Sequence, residues 1–434
     1  MIFSRIGLAL VLMVWLMPHG WCAPAGNRLT LSEALAAAEV THPDLRLAEA
    51  DRAAALAEQE AAASRSDLSV NVEAGLRHAR PSSGPEAGLS DNSMRLNARK
   101  SLYDFGRTAL YEQAARSTVD AREAGLLEAR ERRRIDVMAR FFSVLAADMQ
   151  FVADNEYMAV AYVNADNARD RLKVGQISAT ELAELESRYQ EILVRRNASQ
   201  ARARFARAQL ANAMNQPGQL VAELEDPKLT ANNLTLPDYE ILLPIMREYN
   251  PRLRTQFALL EASRQRMEAL RAENSPMLDA EVEAAGWSRE TATRDNLRAG
   301  VVLTWPVYQG RRVSAQLARE QAQFHKLQAE ADKLGMDLAE ALLEVWAEVD
   351  QLQRSVRAAA RKQVEYRDLA LEKARGQYEV ELKANLGDAM AATMEAKLRE
   401  RRTEYQLALA FARIKALLGK PLESKGKDEP KNSD

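Results

Sequence analysis

The sequence predicts a mainly α protein with a small β part. Long helices in coiled-coil packing join strands of the length that crosses an outer membrane. Three observations predict this. Gly (18) and Pro (14) are scarce in 434 residues, while Ala, Leu, Glu and Arg recur, which favours long helices. Apolar residues recur alternately three and four apart along two long stretches, the mark of helix-on-helix seams. Four short stretches alternate apolar with polar, as strands with one apolar face do.

The first 26 residues, "MIFSRIGLALVLMVWLMPHGWCAPAG", carry Arg5, an apolar run from Ile6 to Met17, and small residues at Ala23 and Ala25. The run is about a dozen residues, against the roughly 20 that a membrane-spanning helix needs. Residues 1–25 therefore read as a secretory signal cleaved after Ala25. The only cysteine, Cys22, falls within it. It follows His19-Gly20-Trp21 rather than the small residues usual before a lipid-anchor cysteine, and a mature chain beginning after Ala25 holds no disulfide.

Beyond the signal the chain reads as one design made twice, with first repeat 26–215, linker 216–237, second repeat 238–422 and polar tail 423–434. "THPDLRLAEADRAAALAEQEAAAS" (41–64) is answered by "YNPRLRTQFALLEASRQRMEALRA" (249–272), each with a Pro (Pro43, Pro251) at a helix mouth, where its missing N–H costs nothing. "LYDFGR" (102–107) is answered by "PVYQGR" (306–311), and "RLKVGQIS" (171–178) by "YEVELKAN" (378–385). Each half closes on a Gly/Pro stop, and the matches keep an offset of roughly 203 to 208 residues, the sign of a tandem duplication.

Within each half the expected order is helix, two strands, very long helix, break, helix. The first long helix should run from about Thr108 to Lys173, near 100 Å at about 1.5 Å per residue. Its seam is Ile135, Met138, Phe142, Leu145, Met149 and Val152; the second is Leu338, Leu342, Val345, Val349, Leu352 and Val356. The strand stretches are 68–78, 94–103, 278–287 and 296–305. Each runs about 8 to 11 residues, enough for a tilted strand to cross an outer membrane. Tyr103, Trp287, Trp305 and Tyr308 lie at or near their ends, where interfacial aromatics belong. Four strands cannot close a barrel, and open edges are not tolerated in lipid. If these strands are membranous, several copies of the chain must pool them.

A formal net charge of −2 suggests neither a nucleic-acid binder nor an acidic tail. The four histidines (His19, His42, His78 and His325) show no ligand spacing, and His42 reads as a local polar contact at a helix mouth. No phosphate loop, nucleophile elbow or thiol pair occurs, so the residues suggest no enzyme and no cofactor.

"LTLSEALAAAEVTHPDLR", "SLYDFGR" and "RLKVGQIS", with the duplicated plan, resemble the TolC family of outer-membrane efflux ducts over roughly Leu29 to Leu422. The resemblance implies a homotrimer, each chain giving four strands to a twelve-stranded barrel in outer-membrane lipid. A long helical tunnel would continue through the periplasm. It also implies docking on a periplasmic adaptor (membrane fusion) protein and an inner-membrane pump of RND or ABC type, in a tripartite efflux or type I secretion system. The two breaks become turns at the periplasmic tip, where charges govern closure and ion passage. The matching positions are Lys173, Gly175, Glu181 and Glu184 in the first half, and Tyr378, Lys383 and Asp388 in the second. Glu381 stands where the family usually has Gly, and Ala391 at the usual second acidic position. The alternative reading is an exported coiled-coil adaptor or envelope scaffold without a pore. Nothing in the sequence chooses among metal ions, drugs and polypeptides as cargo.

Overall fold

Thr30 opens the first helix with a reciprocal capping box: its hydroxyl accepts from the backbone of Glu33, whose carboxylate accepts the backbone N–H of Thr30. His42 caps the next, its Nδ1 accepting the N–H of Asp44 at 3.2 Å ahead of Pro43. The equivalent cap in the second half is Asn250, whose side chain accepts from Arg252 and Leu253 and donates to the carbonyl of Leu417 at 2.8 Å. His42 is thus a cap. The computed structural model describes residues 28–79, 89–219, 223–288, 295–379 and 386–421. The signal, Lys383 and Glu381, the 423–434 tail and most of both inter-strand loops lie outside the described residues.

In chain order the elements are α1 (Leu31–Thr41), α2 (Pro43–Ala63), β1 (Ser69–Gly75), β2 (His78–Ala79), β3 (Leu89–Ser90), β4 (Ser93–Tyr103), α3 (Arg107–Lys173) and α4 (Ala179–Ala213). They continue with α5 (Tyr239–Tyr249), α6 (Pro251–Ala272), β5 (Met277–Trp287), β6 (Leu297–Thr304), α7 (Arg312–Gln351), α8 (Arg357–Glu379) and α9 (Leu386–Leu418). The chain is mostly helical with one four-stranded antiparallel sheet, order β1-β4-β5-β6, and a small β2-β3 ladder. No helix among the described residues is long and apolar enough to cross a membrane.

α3 has 67 residues, about 100 Å of unbroken helix. Its second-half counterpart is interrupted by one π-helical turn, Leu352–Val356, between α7 and α8. The helices lie in two tiers. Towards the sheet, α3 packs between α2 and α6, and α7 packs on α6. Towards the far end, α3 packs between α4 and α9, and α8 packs on α9.

The second seam is buried from Leu338 to Leu352, with Val356 half-buried. It forms one core with Leu242, Met246, Leu407 and Ile414. The first seam is displaced. Phe142 is buried, but Val152 is exposed and the other four are half-buried. The buried lines of α3 are Val137, Phe141 and Val144, then Ala153, Ala161, Ala165 and Ala168. The reason is that α3 has partners on both flanks. A helix covered on two sides buries more than one stripe, and alanines let its neighbours come close.

One such approach lies between α9 and α3. A Cβ added to Gly387, in the first turn of α9, would lie 2.3 Å from Cγ2 of Val160 on α3. Gly387→Ala should lower stability by about 1 to 3 kcal/mol through overpacking against a stiff β-branched side chain. Thermal unfolding followed by circular dichroism checks this. Val160→Ala in the same chain should recover most of the loss, since it removes the clashing methyl.

Candidate channel surface

The sheet has two chemically opposite faces, and the strand register fixes which residues share them. On one face Val70, Val72 and Ala74 of β1 stand opposite Ala98, Leu96 and Met94 of β4. Leu96 and Ala98 stand opposite Ala284 and Val282 of β5, and Val282 and Ala280 opposite Ala299 and Val301 of β6. Among the described residues no element covers this face: Val72 is 62% exposed, Leu297 70% and Leu303 63%. An apolar patch across four strands is far more than a water-soluble surface normally leaves open. Among the described residues the one cation on it, Lys100, lies near the strand end and reaches Asp67 at 3.6 Å.

The opposite face is polar and lines a hollow of about 720 Å³ with Ser69, Asn71, Asn97, Arg99, Glu281 and Arg298 among its walls. Its charges pair across strands. Glu73 meets Arg95 at 3.4 Å, Arg99 meets Asp279 at 3.0 Å and Glu281 at 3.1 Å, and Glu283 meets Arg298 at 2.9 Å. The sequence shows these residues but not the pairing, because Arg99 on β4 and Asp279 and Glu281 on β5, 180 and 182 residues away, meet only through the register. Arg95, Arg99, Glu283 and Arg298 were accordingly missed as site residues; alternation in each strand was the signal that placed them on one face.

A register shift between Ser101 and Tyr103 brings Tyr103 opposite Leu278, on the apolar side. Its ring meets Phe105 edge-on at 4.7 Å. Trp305 and Tyr308 follow β6 at this same helix-side rim, both exposed. Trp287 pairs with Ser93 at the loop-side end and shares the parity of Glu283, which puts it on the polar face, where the guanidinium of Arg95 lies 5.6 Å from its ring.

At the far end, α3 stops with paired backbone bonds. The N–H of Gly175 donates to the carbonyl of Leu172, and that of Gln176 to the carbonyl of Arg171, both at 2.9 Å. This is a Schellman closure, and it needs the left-handed φ of +71° that Gly175 supplies. Ser178 then caps α4 by accepting the N–H of Glu181 at 3.1 Å. Lys173 pairs with Asp170 at 2.9 Å, which holds the ammonium above its ordinary range. Glu181 and Glu184 are exposed in the first turns of α4.

The second-half positions stand at another level. Tyr378 is exposed near the end of α8 and Asp388 exposed in the first turn of α9. Asp388 follows Gly387, which packs on Val160, roughly 20 Å back along α3 from Lys173. The chain therefore brings Lys173, Gly175, Glu181 and Glu184 together, and sets Asp388 apart from them. Ala391 is fully buried.

Among the described residues no group of His, Cys, Asp and Glu could hold a metal ion. No sequence-family model matches the chain. No curated protein matches it in sequence either. Solved structures do. The outer membrane channel CmeC of Campylobacter jejuni superposes with a TM-score of 0.74 at 14% identity, over 91% of this chain and 87% of that one. The outer membrane protein VceC of Vibrio cholerae gives 0.71 at 16%, over 91% and 97%. The open state of the MtrE outer membrane channel of Neisseria gonorrhoeae gives 0.71 at 16%, over 90% and 89%. With the two-faced sheet and the long helical tiers, these likenesses establish that the chain has the TolC-like fold of outer membrane channels.

Proposed function

We propose that this protein is a passive exit duct in the outer membrane, formed by three copies of the chain and reaching far into the periplasm. The observation that carries the reading is that every tier ends in the same pair of open edges. The sheet runs β1-β4-β5-β6; the helices beside it run α2-α3-α6-α7; those at the far end run α4-α3-α9-α8. Each tier has an element of the first half at one edge and one of the second half at the other. Among the described residues β1 and β6 each have a single strand partner. Lipid does not tolerate unpaired backbone, so the β6 edge of one copy must meet the β1 edge of the next until the ring closes. Exposed apolar residues on the edge helices, Leu47 on α2, Met336 on α7, Phe205 on α4 and Leu369 on α8, suit the same contact. The TolC-like fold supports three copies and twelve strands.

In this duct the apolar face meets lipid, with Tyr103, Phe105, Trp305 and Tyr308 at the periplasmic interface. The polar face lines the pore. The helices form the tunnel, and the turn at Gly175 is its periplasmic tip, where a periplasmic adaptor engages and the inner-membrane pump, of RND or ABC type, supplies the energy. The two halves arise from a tandem duplication, and the chain itself does no chemistry: cargo diffuses through water.

Purified protein should migrate as a heat-modifiable trimer, require detergent for release from membranes, and give stepwise conductance in planar bilayers. A monomer released without detergent, and silent in bilayers, would support the adaptor or scaffold instead. Glu181→Ala with Glu184→Ala should make the pore less cation-preferring, since three copies remove six carboxylates from the tip; unchanged ion selectivity would place the constriction elsewhere, with Asp388 the next candidate.

A further inference from the structure

The geometry points to a pore lining in the sheet that neutralises its own charge rung by rung, with Glu283 and Arg298 as the residues that keep the barrel indifferent to the sign of an ion. This rests on the duct reading above and concerns the barrel rather than the tip. The register puts the polar residues in rungs. One is Ser69–Arg99–Glu281–Gly300, the next Asn71–Asn97–Glu283–Arg298, the third Glu73–Arg95–Ala285. Neighbouring rungs lie roughly 7 Å apart along the strands.

Each rung carries one guanidinium and one carboxylate in contact: Arg99 with Glu281, Arg298 with Glu283, Arg95 with Glu73. The one surplus carboxylate, Asp279, is buried and shares Arg99 at 3.0 Å. At separations of about 3 Å an ion pair looks nearly neutral to a solute more than a Debye length, roughly 8 Å, away. A ring of three such rungs therefore offers dipoles and hydration with little net field, the surplus charge lying on the buried Asp279 at the helix-side end. Removing one partner exposes three like charges at one level of a narrow lumen, which is the arrangement that makes a pore selective.

The test is the reversal potential in a KCl gradient across planar bilayers, using wild type, Glu283→Gln, Arg298→Gln and the double variant. Glu283→Gln should shift the potassium-to-chloride permeability ratio towards chloride by about two-fold or more, and Arg298→Gln should shift it as far towards potassium. The double variant should return to the wild-type value, because both charges leave together. Heat-modifiable trimers must form equally in all four proteins. If a variant does not assemble, Glu73→Gln, Arg95→Gln and their double pose the same question one rung away. A conducting wild type with the same reversal potential in all variants would overturn the charge-balanced lining and leave the duct intact. Absence of conductance in well-assembled wild type would remove both.

Discussion

If the chain forms the duct proposed above, Val282→Arg should eliminate it from the outer membrane. Val282 lies on the inner strand β5, on the uncovered apolar face, with Ala98 beside it on β4 and Ala299 on β6. No acidic side chain occupies that face nearby to receive a guanidinium. A charged residue facing lipid at the bilayer midplane costs about 2 to 4 kcal/mol per copy in an outer-membrane barrel, so roughly 6 to 12 kcal/mol for three copies. The matched control is Asn97→Arg, on the adjoining strand but the polar face, where Glu283 is its direct cross-strand partner. Membrane fractionation and heat-modifiable migration should show Asn97→Arg inserted and Val282→Arg absent or degraded. Normal insertion of Val282→Arg would mean that this face does not meet lipid.

Arg357→Ala should destabilise the helical part by about 3 to 5 kcal/mol, the loss that follows when one partner of a buried ion pair is removed. Arg357 holds Glu404 through two hydrogen bonds, at 2.6 and 3.1 Å, and only 10% of the Glu404 side chain is exposed. Asn232 donates to the same carboxylate at 2.8 Å. Gln353, within the π-helical turn, donates to the carbonyls of Asn232 and Leu234, which ties the connection between the two halves to the one irregular point in the second long helix. With Arg357 gone, Glu404 keeps Asn232 and a longer contact to Arg361 at 3.5 Å.

The same pair sets a pH signature. Burial raises the Glu404 pKa, but the hydrogen bonds from Asn232 and Arg357 and the guanidinium charges outweigh it, leaving the group below its ordinary 4.5. A depressed carboxylate gives stability that is complete above its unfolded pKa and is lost as pH falls through the folded value. Wild type should therefore lose stability below about pH 4.5, and Arg357→Ala should lose less over that interval because it has less to lose. Denaturant midpoints measured from pH 7 to pH 3 decide this; parallel curves for the two proteins would show that Glu404 does not depend on Arg357.

Local pattern carried much of this molecule. Strands form within the stretches that alternate, because alternation is a property of one strand and needs no partner. The break at 171–178 and the local polar contact of His42 were legible for the same reason: the bonds that make them join residues two to five apart. The first seam was not, since the α3 faces that become buried depend on which helices flank it, and spacing along one helix is silent on that. Trp287 shows the same limit. Its place near a strand end was visible, but its face depends on the register with β4.

What the sequence by itself determined is therefore the inventory: long helices, four two-faced strands, and turns where the helices break. Only the tertiary structure decided which residues meet: Arg99 with Asp279 and Glu281, Glu404 with Arg357 and Asn232, Gly387 against Val160, and the open edges that fall on matching sides of every tier. The physical reason is range. Helix caps, turns and strand alternation come from interactions a few residues long, whereas the contacts just named join groups 47 to 227 residues apart, set by packing and register that no local stretch encodes.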